Sequence, residues 1–335
     1  MIFGAFRFND LTNNALTWYN KEECKIERRY NMSLCFHSPA PSDRQFTFTA
    51  AANSGAKEND AAFASIFLLR EKYGIEICAY EQFLLRRYHS GLRAGCYGFP
   101  IGSGNLKDAV QKLHEDAMER QIPFRFALLT KQQTDLLEAD FPHQFRYSAA
   151  ENYTEYLYLR EHLAELRGSR YHGKRNHIAQ FWRAYPDAYI QPLIAENAEF
   201  AVKIAEQWLL AREDPQEASL QYELNCIREA AANWDALQLS GLLLYAETEK
   251  PPIGMEIVSQ ISPHVWDIHF EKVIPGYPHA WPVVANETAK CLTDAEYLNR
   301  EEDLGESGMR SSKRSYRPDL LNEKFFAEWC GEEKL

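Results

Sequence analysis

The sequence predicts an α+β protein built from two similar units, each a mostly antiparallel mixed sheet flanked by helices. Its 335 residues, 45% of them hydrophobic, suffice for two domains of ordinary size. Strand-like runs alternate with segments of helical periodicity, and both halves repeat one order of elements: antiparallel strands, a glycine-containing turn, a helix and a further strand. We therefore predict an internal duplication, with an extension over residues 1–31, a first domain over 32–159 and a second over 160–335.

The first half begins with a helix and a hairpin. FASIFLLREKY, residues 63–73, has apolar residues at helical spacing. IEICAY and FLLRRYH, separated by Glu81 and Gln82, are typical of two hairpin strands. A strand over residues 93–99 leads into the turn PIGSGN, and Asn105 is placed to cap the next helix. A strand (PFRFALLT), a helix (KQQTDLLEADF) and a strand running into a helix (YTEYLYLREHLAEL) complete this half.

The second half combines two long helices with three strands. Helical periodicity covers residues 195–212 and 218–233 and is interrupted at Asp214 and Pro215. The later elements are strands at residues 239–247, 253–259 and 265–273, a helix at 280–291 and a short strand at 296–298. A strand, a turn and a helix N-terminus in this order present backbone N–H groups to an anionic or carbonyl ligand. The layout resembles the central part of the GNAT acyltransferase fold.

Composition limits the partners of the chain. A formal net charge of -11 argues against broad attraction to nucleic acid or anionic membranes, so a polyanionic partner needs a local basic patch. The apolar runs are far shorter than the roughly 20 residues that cross a bilayer, and Arg7 and Asp10 interrupt the place of a signal sequence. We expect a cytoplasmic protein that is not integral to a membrane. The seven cysteines lack CxxC spacing, which predicts reduced structural thiols and no metal site.

The most informative segment is NREEDLGESGMRSSKRSYRP, residues 299–318, which we interpret as one loop that combines acidic and basic residues. Its three consecutive acids, residues 301–303, repel one another unless cations lie nearby. Some acids therefore pair with the basic residues that follow, and others are left for a substrate amine; the alternative is a solvated charged loop. The basic residues are Arg310, Lys313, Arg314 and Arg317.

This segment resembles the signature of the phosphatidylglycerol lysyltransferase C-terminal domain family, N-x-E-x-D-L-G-x-x-G-L-R-x-x-K-x-S-Y-x-P, and departs from it only at Met309. LRGSRYHGKRNHIAQF, residues 166–181, resembles the family's L-x-G-x-x-x-x-x-K-R-N-x-I-x-x-F. The resemblance covers about residues 33–326. It implies two GNAT-like units, the second carrying the cleft, and an aminoacyl-tRNA donor. The acceptor stays open between a small molecule, a peptide and a lipid.

The two matching stretches supply the candidate substrate-binding residues. Lysine and arginine suit phosphates or a carboxylate, while acids suit the amino group of a donor; the alternative for the 174–175 pair is an ion pair with the acids at 301–303. Tyr316 is a candidate proton relay. The substrate-binding candidates are Lys174, Arg175, Asn176, Asn299, Glu301, Asp303, Arg310 and Lys313.

Further candidates lie on the strands of the second half. In WDIHFEKV, alternation predicts that His269 and Glu271 share one face. Glu271 is a candidate general base, or else pairs with Lys272 or Arg310. Glu256 stands in an apolar strand, where burial raises the pKa of a carboxyl as a base requires, unless an arginine satisfies it.

Gly276 and His279 stand where a GNAT fold binds the phosphates of its acyl donor. The Q/R-x-x-G-x-G/A motif for coenzyme A is not visible in either half, which favours aminoacyl-tRNA over acyl-CoA as the donor. The sequence thus predicts an aminoacyltransferase with no tightly bound cofactor. Two alternatives stay open, an acyl-CoA-dependent N-acyltransferase and a non-catalytic binding protein on a GNAT-like scaffold.

Overall fold

Two mixed sheets and their flanking helices form the structure, which is a computed structural model describing residues 34–331. The extension predicted for residues 1–31 lies outside the described residues. The strands are β1 (Ile75–Tyr80), β2 (Phe83–Tyr88), β3 (Tyr97–Gly102), β4 (Arg125–Thr130), β5 (Phe145–Ala149), β6 (Glu155–Leu159), β7 (Tyr189–Leu193), β8 (Ser240–Tyr245), β9 (Gly254–Ser262), β10 (Val265–Val273), β11 (Tyr297–Asn299), β12 (Leu320–Asn322) and β13 (Lys324–Trp329).

The helices cover both faces of the sheets. They are α1 (Arg44–Ser54), α2 (Phe63–Leu68), α3 (Arg70–Tyr73), α4 (Leu106–Glu119), α5 (Lys131–Asp140), α6 (Arg160–Glu165), α7 (His172–Ala184), α8 (Glu199–Leu210), α9 (Ala218–Ala232), α10 (Trp234–Leu237), α11 (Ala280–Cys291) and α12 (Ser307–Ser315). No helix within residues 34–331 has the length and apolar character to cross a bilayer.

The strand order confirms the predicted fold class. The first sheet runs β1-β2-β3-β4-β13-β5 and the second runs β12-β6-β11-β10-β9-β8-β7. Each sheet is antiparallel except for one parallel pair, β3 with β4 and β10 with β11. A helix joins the strands of each parallel pair, α4 in the first sheet and α11 in the second. The repeated order of elements in the sequence therefore corresponds to a repeated strand, helix and parallel strand.

Strand exchange links the two sheets. β6 precedes residue 160 but pairs with β11 and β12 in the second sheet. β13 lies at the end of the described chain but pairs with β4 and β5 in the first sheet. Each sheet thus contains a strand from the other side of the predicted domain boundary between residues 159 and 160. The division into two domains stays a prediction.

Hydrophobic periodicity explains most elements. The apolar face of α4 is buried through Ala109, Val110 and Leu113, and the Asn105 side chain accepts a hydrogen bond from the backbone N–H of Asp108, as an N-cap does. The helix predicted over residues 63–73 is divided into α2 and α3. The strand predicted from residue 93 begins only at Tyr97, because a 3-10 turn occupies Gly91–Arg93.

The second sheet is covered on both faces, and this separates two chemical environments. On one face Ile257 packs with α2, α8 and α9. On the other face the next residue, Val258, packs with β6, α6 and Tyr316.

The segment 299–318, which we interpreted as a loop, contains the helix α12, none of whose residues is buried. Side-chain contacts rather than a buried apolar stripe hold this helix, so apolar periodicity gives no signal for it.

Candidate active site

β10 and β11 diverge after a short parallel pairing, and we call the region between their diverging parts the cleft. The two strands pair in parallel over only three residues, Val265–Asp267 with Tyr297–Asn299, and β10 then continues alone to Val273. After β11 the chain turns at Glu301, whose φ of 55° lies in the left-handed region. The side chains of Arg300 and Glu301 therefore meet the unpaired part of β10.

A β-bulge in β10 divides the polar residues of this strand between the two faces. The register with β9 shifts between Ile268 and Phe270, so His269 has no pairing partner. His269 Nε2 lies 2.8 Å from Ser259 Oγ, whereas Glu271 is paired in register with Glu256. The prediction that His269 and Glu271 share one face is wrong, because the extra residue reverses the alternation.

Five residues on one face form what we call the glutamate–arginine cluster: Glu256, Glu271, Arg300, Tyr316 and Lys174. Glu271 forms an ion pair with Arg300, and each side chain is only 10% exposed. The Arg300 guanidinium carbon lies 4.9 Å from the centre of the Tyr316 ring, and Lys174 Nζ lies 3.6 Å from the same centre. The fold thus brings four candidate residues together around Arg300. Arg300 itself was not a candidate from the sequence.

The cluster holds two adjacent carboxyl groups, and its environment shifts the protonation of one of them, Glu256. Burial, followed by the negative charge of Glu271, raises the pKa of the fully buried Glu256 to about 8. The charge of Glu271 is neutralised by Arg300. A proton on Glu256 at neutral pH therefore leaves no uncompensated charge among these three side chains. Burial, followed by repulsion from Arg300, lowers the pKa of Lys174 to about 8. Burial also raises the pKa of Tyr316, which keeps its hydroxyl protonated.

The protonation of Glu256 has a measurable effect on stability. Since its pKa of about 8 exceeds the ordinary value of 4.5, the folded chain retains a proton that the unfolded chain releases. This group therefore lowers the free energy of unfolding as pH rises from about 4.5 to about 8. We expect Glu256→Gln to flatten that decline by on the order of a few kcal/mol. Thermal melting from pH 5 to pH 9 measures it.

The exposed α4 residue Glu119 supplies the control for this measurement. Glu119→Gln should leave the dependence of the melting temperature on pH unchanged. Parallel pH profiles of wild type and Glu256→Gln would contradict the assigned protonation.

The opposite face of β10 carries a second polar group, which we call the Asp–His cluster: Asp267, His269, Glu301 and Ser65. Asp267 is fully buried and accepts a hydrogen bond from Ser65 Oγ at 3.1 Å. His269 Nδ1 lies 3.4 Å from Asp267 Oδ2 and 3.7 Å from Glu301 Oε1. Burial, followed by the charge of Glu301, raises the pKa of Asp267 well above its usual range. Neither Asp267 nor Ser65 was a candidate from sequence.

Asn299 shapes the turn that brings Glu301 to this cluster. The Asn299 side chain is buried, and its Oδ1 accepts a hydrogen bond from the backbone N–H of Glu301 at 2.8 Å. Its Nδ2 donates to the Lys57 carbonyl at 2.9 Å and to Glu155 Oε2 at 3.0 Å. The first residue of the family-like signature therefore positions the acid two residues later.

Asp303, Arg310 and Lys313 connect the turn to α12. Arg310 donates two hydrogen bonds of 2.8 Å to the Asp303 carboxylate, which also accepts a 2.5 Å bond from the Tyr156 hydroxyl. Burial alone would raise the pKa of Asp303, but these bonds outweigh it and lower the pKa to about 2. Lys313 Nζ donates to the carbonyl of Glu302. The proposed contacts of these residues with a donor stay predictions.

The remaining candidates lie around α7 and the start of α11. Arg175 donates to the carbonyls of Leu166 and Gly168, the latter at 2.7 Å, and Asn176 is exposed on α7. His279 precedes α11 with a left-handed φ of 68°. Its ring centre lies 4.6 Å from that of His177 on α7. Gly276, with a φ of 96°, stands in the exposed loop before them.

A basic surface adjoins the glutamate–arginine cluster despite the acidic total charge. Residues 160–183 contain six Arg or Lys and two Glu, and residues 306–317 contain four Arg or Lys and one Glu. The contact between Lys174 and Tyr316 brings the two segments together. We call this surface the basic face. Its exposed cations include Arg170, Arg175, Arg314 and Arg317.

A family model described as "Phosphatidylglycerol lysyltransferase, C-terminal" matches residues 52–328. The chain belongs to this family. The match confirms the resemblance carried by residues 299–318 and 166–181. It also makes the chain an acyltransferase-like protein. No curated protein matches the chain.

Solved structures share the fold. A conserved protein of unknown function from Bacteroides thetaiotaomicron is similar with a TM-score of 0.84 and 27% identity, over 88% of this chain and 99% of that one. The C-terminal domain of a putative lysylphosphatidylglycerol synthetase from Agrobacterium fabrum has a TM-score of 0.58 and 12% identity, over 87% and 93%. L-PGS from Bacillus licheniformis has a TM-score of 0.55 and 12% identity, over 83% and 94%. These similarities confirm the lysyltransferase-like fold.

Proposed function

We propose that this chain transfers an aminoacyl group from aminoacyl-tRNA to an acceptor amine or hydroxyl. The observation that carries the proposal is the glutamate–arginine cluster at the opening between β10 and β11. It combines a partly exposed carboxylate, a buried partner carboxyl, two cations and a tyrosine hydroxyl within one cleft. These groups match the needs of acyl transfer, namely a proton acceptor and stabilisation of a developing oxyanion.

The reaction needs no covalent enzyme intermediate. The acceptor nitrogen or oxygen forms a bond to the ester carbonyl carbon while its proton passes to Glu271. The carbonyl oxygen gains charge, and Arg300 and Lys174 are the cations available to stabilise it. The bond from carbonyl carbon to ribose oxygen then breaks, and the ribose oxygen leaves with the proton that Glu271 took, transferred either directly or through the Tyr316 hydroxyl, which receives a proton from Glu271 as it gives up its own. The Arg300 ion pair orients Glu271 for both proton transfers.

The basic face favours a polyanionic donor. Nucleic acids require clustered Arg and Lys, and these residues concentrate next to the cleft although the whole chain carries a net charge of -11. An acyl-CoA donor would need far fewer cations. The position of the basic face therefore supports aminoacyl-tRNA over acyl-CoA.

Charge reversal on the basic face tests the donor. We expect Arg170→Glu combined with Arg314→Glu to weaken the binding of a tRNA acceptor-stem helix with an amide-linked aminoacyl group. About one unit of the salt-dependence slope should be lost for each phosphate contact removed. Fluorescence anisotropy at several salt concentrations measures both quantities.

Two cations on other helices, Lys112 on α4 and Lys203 on α8, supply the matched control. Lys112→Glu combined with Lys203→Glu should bind as wild type does, although the change in net charge is the same. Equal weakening in both double variants would reject the basic face as the tRNA surface. A rise in melting temperature with acetyl-CoA, without tRNA binding, would favour the acyl-CoA alternative instead.

A further inference from the structure

The Asp–His cluster lies outside the proposed acyl-transfer site. Asp267 lies on the face of the second sheet that packs against α2, the helix that carries Ser65, whereas Glu271 lies on the face of Tyr316. Asp267 Oδ1 is buried and accepts no hydrogen bond from any residue between 34 and 331. Among residues 34–331, neither Asp267 nor Glu301 forms an ion pair with a lysine or an arginine, and His269 is the one basic side chain within ion-pair distance of both. A bound cation would compensate the two carboxylates.

The separations within the cluster identify the kind of cation. The ligand atoms of Asp267, His269 and Glu301 all lie within 4.8 Å of one another, and two of the three separations are 3.4 and 3.7 Å. Ligands about 2.1 Å from a tetrahedral metal ion stand about 3.4 Å apart. Acceptors that surround an ammonium group at about 2.8 Å stand about 4.6 Å apart. The two separations from His269 Nδ1, 3.4 and 3.7 Å, are closer to the value for a metal ion than to the value for an amine.

The surroundings of His269 fix the nitrogen that would bind the ion. Ser259 Oγ lies 2.8 Å from His269 Nε2 and accepts a hydrogen bond from it when Nε2 carries the proton. In that tautomer the Nδ1 lone pair is free and is directed toward the carboxylates. A hydrogen bond at the other ring nitrogen usually fixes a metal-binding histidine in this way. Ser65 Oγ, 3.4 Å from Nδ1, adds an oxygen beside the three ligands. The bulge at His269 sets this orientation.

We propose that Asp267, His269 and Glu301 bind one divalent transition-metal ion, with Zn²⁺ as the expected occupant. One imidazole nitrogen and two carboxylate oxygens form a ligand set that Zn²⁺ accepts at about 2.0–2.2 Å, with a further position open to water or to a carbonyl oxygen. The sequence predicts no metal site because its cysteines lack a suitable spacing. None of the three proposed ligands is a cysteine, so that reasoning does not apply to this cluster. The proposal does not depend on the identity of the acyl donor.

Metal titration of the chelator-treated full chain tests the site without any donor. We expect calorimetry to show one equivalent of Zn²⁺ and Co²⁺ to give the visible absorption of a four- or five-coordinate centre. His269→Gln should weaken Zn²⁺ binding by roughly 100-fold or more, and Ser259→Ala by about 10- to 100-fold through loss of the support at Nε2.

An exposed histidine beside a carboxylate provides the control. His37 Nε2 lies 3.1 Å from Asp43 Oδ1 on the surface, and His37→Gln should bind Zn²⁺ as wild type does. Circular dichroism verifies that each variant is folded, and the Co²⁺ spectrum of the wild type decides the coordination without any variant. The proposal is overturned if wild type shows no saturable binding, or if His269→Gln and His37→Gln bind Zn²⁺ equally.

Discussion

Replacing Glu271 by Gln is expected to slow aminoacyl transfer by roughly 10²- to 10⁴-fold, the usual contribution of a general base. The substitution preserves the shape of the side chain and one acceptor oxygen for Arg300, but the amide cannot take a proton from the acceptor. Since Glu271 is only 10% exposed and sits at the cleft, the effect should fall on the chemical step rather than on donor binding. Single-turnover loss of radiolabel from aminoacyl-tRNA, with a cellular small-molecule and lipid extract as acceptor, measures the rate.

A neighbouring ion pair supplies a matched control for this prediction. Glu223 Oε1 lies 2.8 Å from Nζ of Lys272, the residue that follows Glu271. Glu223→Gln therefore weakens an ion pair of Lys272, which follows Glu271 on β10, without changing any residue of the glutamate–arginine cluster. It should leave the rate unchanged. Equal rates in Glu271→Gln and wild type would remove Glu271 as the base. Equal losses in both variants would indicate a structural cause.

The sequence predicted those elements of the fold whose apolar residues recur at a regular local spacing. The bounds predicted for α11, residues 280–291, match the structure because its apolar face is buried along the whole helix. The hairpin β1 and β2 was predicted because only two residues separate its strands. By contrast, α12 was interpreted as a loop, since Arg310 and Lys313 hold it through polar contacts. Local patterns report burial, and they give no signal where charge holds a helix.

The candidate site was predicted in part for the same reason. The family-like signature identified the segment of Arg300 but not its partner, because Glu271 lies 29 positions earlier and the contact depends on the separation of β10 from β11. The bulge at His269 depends on pairing with β9 and is not visible in the strand itself. Asp267 offered a usable signal, since a carboxylate inside a strand of the apolar core requires an explanation.

Strand exchange between the sheets leads to the second large prediction, on stability. Lys324 opens β13 in the first sheet and Glu155 opens β6 in the second. Lys324 Nζ lies 2.7 Å from Glu155 Oε1, and each side chain is 1% exposed. Lys324→Met is expected to cost about 3 to 5 kcal/mol of unfolding free energy, because it leaves a buried carboxylate without its cation. Urea unfolding followed by circular dichroism measures the loss.

The pair Lys290 and Glu287 has the same separation of 2.7 Å, but its lysine is 47% exposed. Lys290→Met should therefore cost no more than about 1 kcal/mol. Adding Glu155→Gln to Lys324→Met should recover much of the loss, since the amide carries no charge and keeps an oxygen for the amides of Asn299 and Asn322.

The pH dependence separates a charge effect from a packing effect. Burial raises the pKa of Glu155 to about 7, even though the charge of Lys324 opposes the shift. Without Lys324 the folded chain holds the Glu155 proton to still higher pH, so stability falls further as pH rises above 4.5, and the loss should be smaller at pH 5 than at pH 8. A loss that is equal at both pH values, and is not recovered by Glu155→Gln, would mean that β13 is held by packing alone.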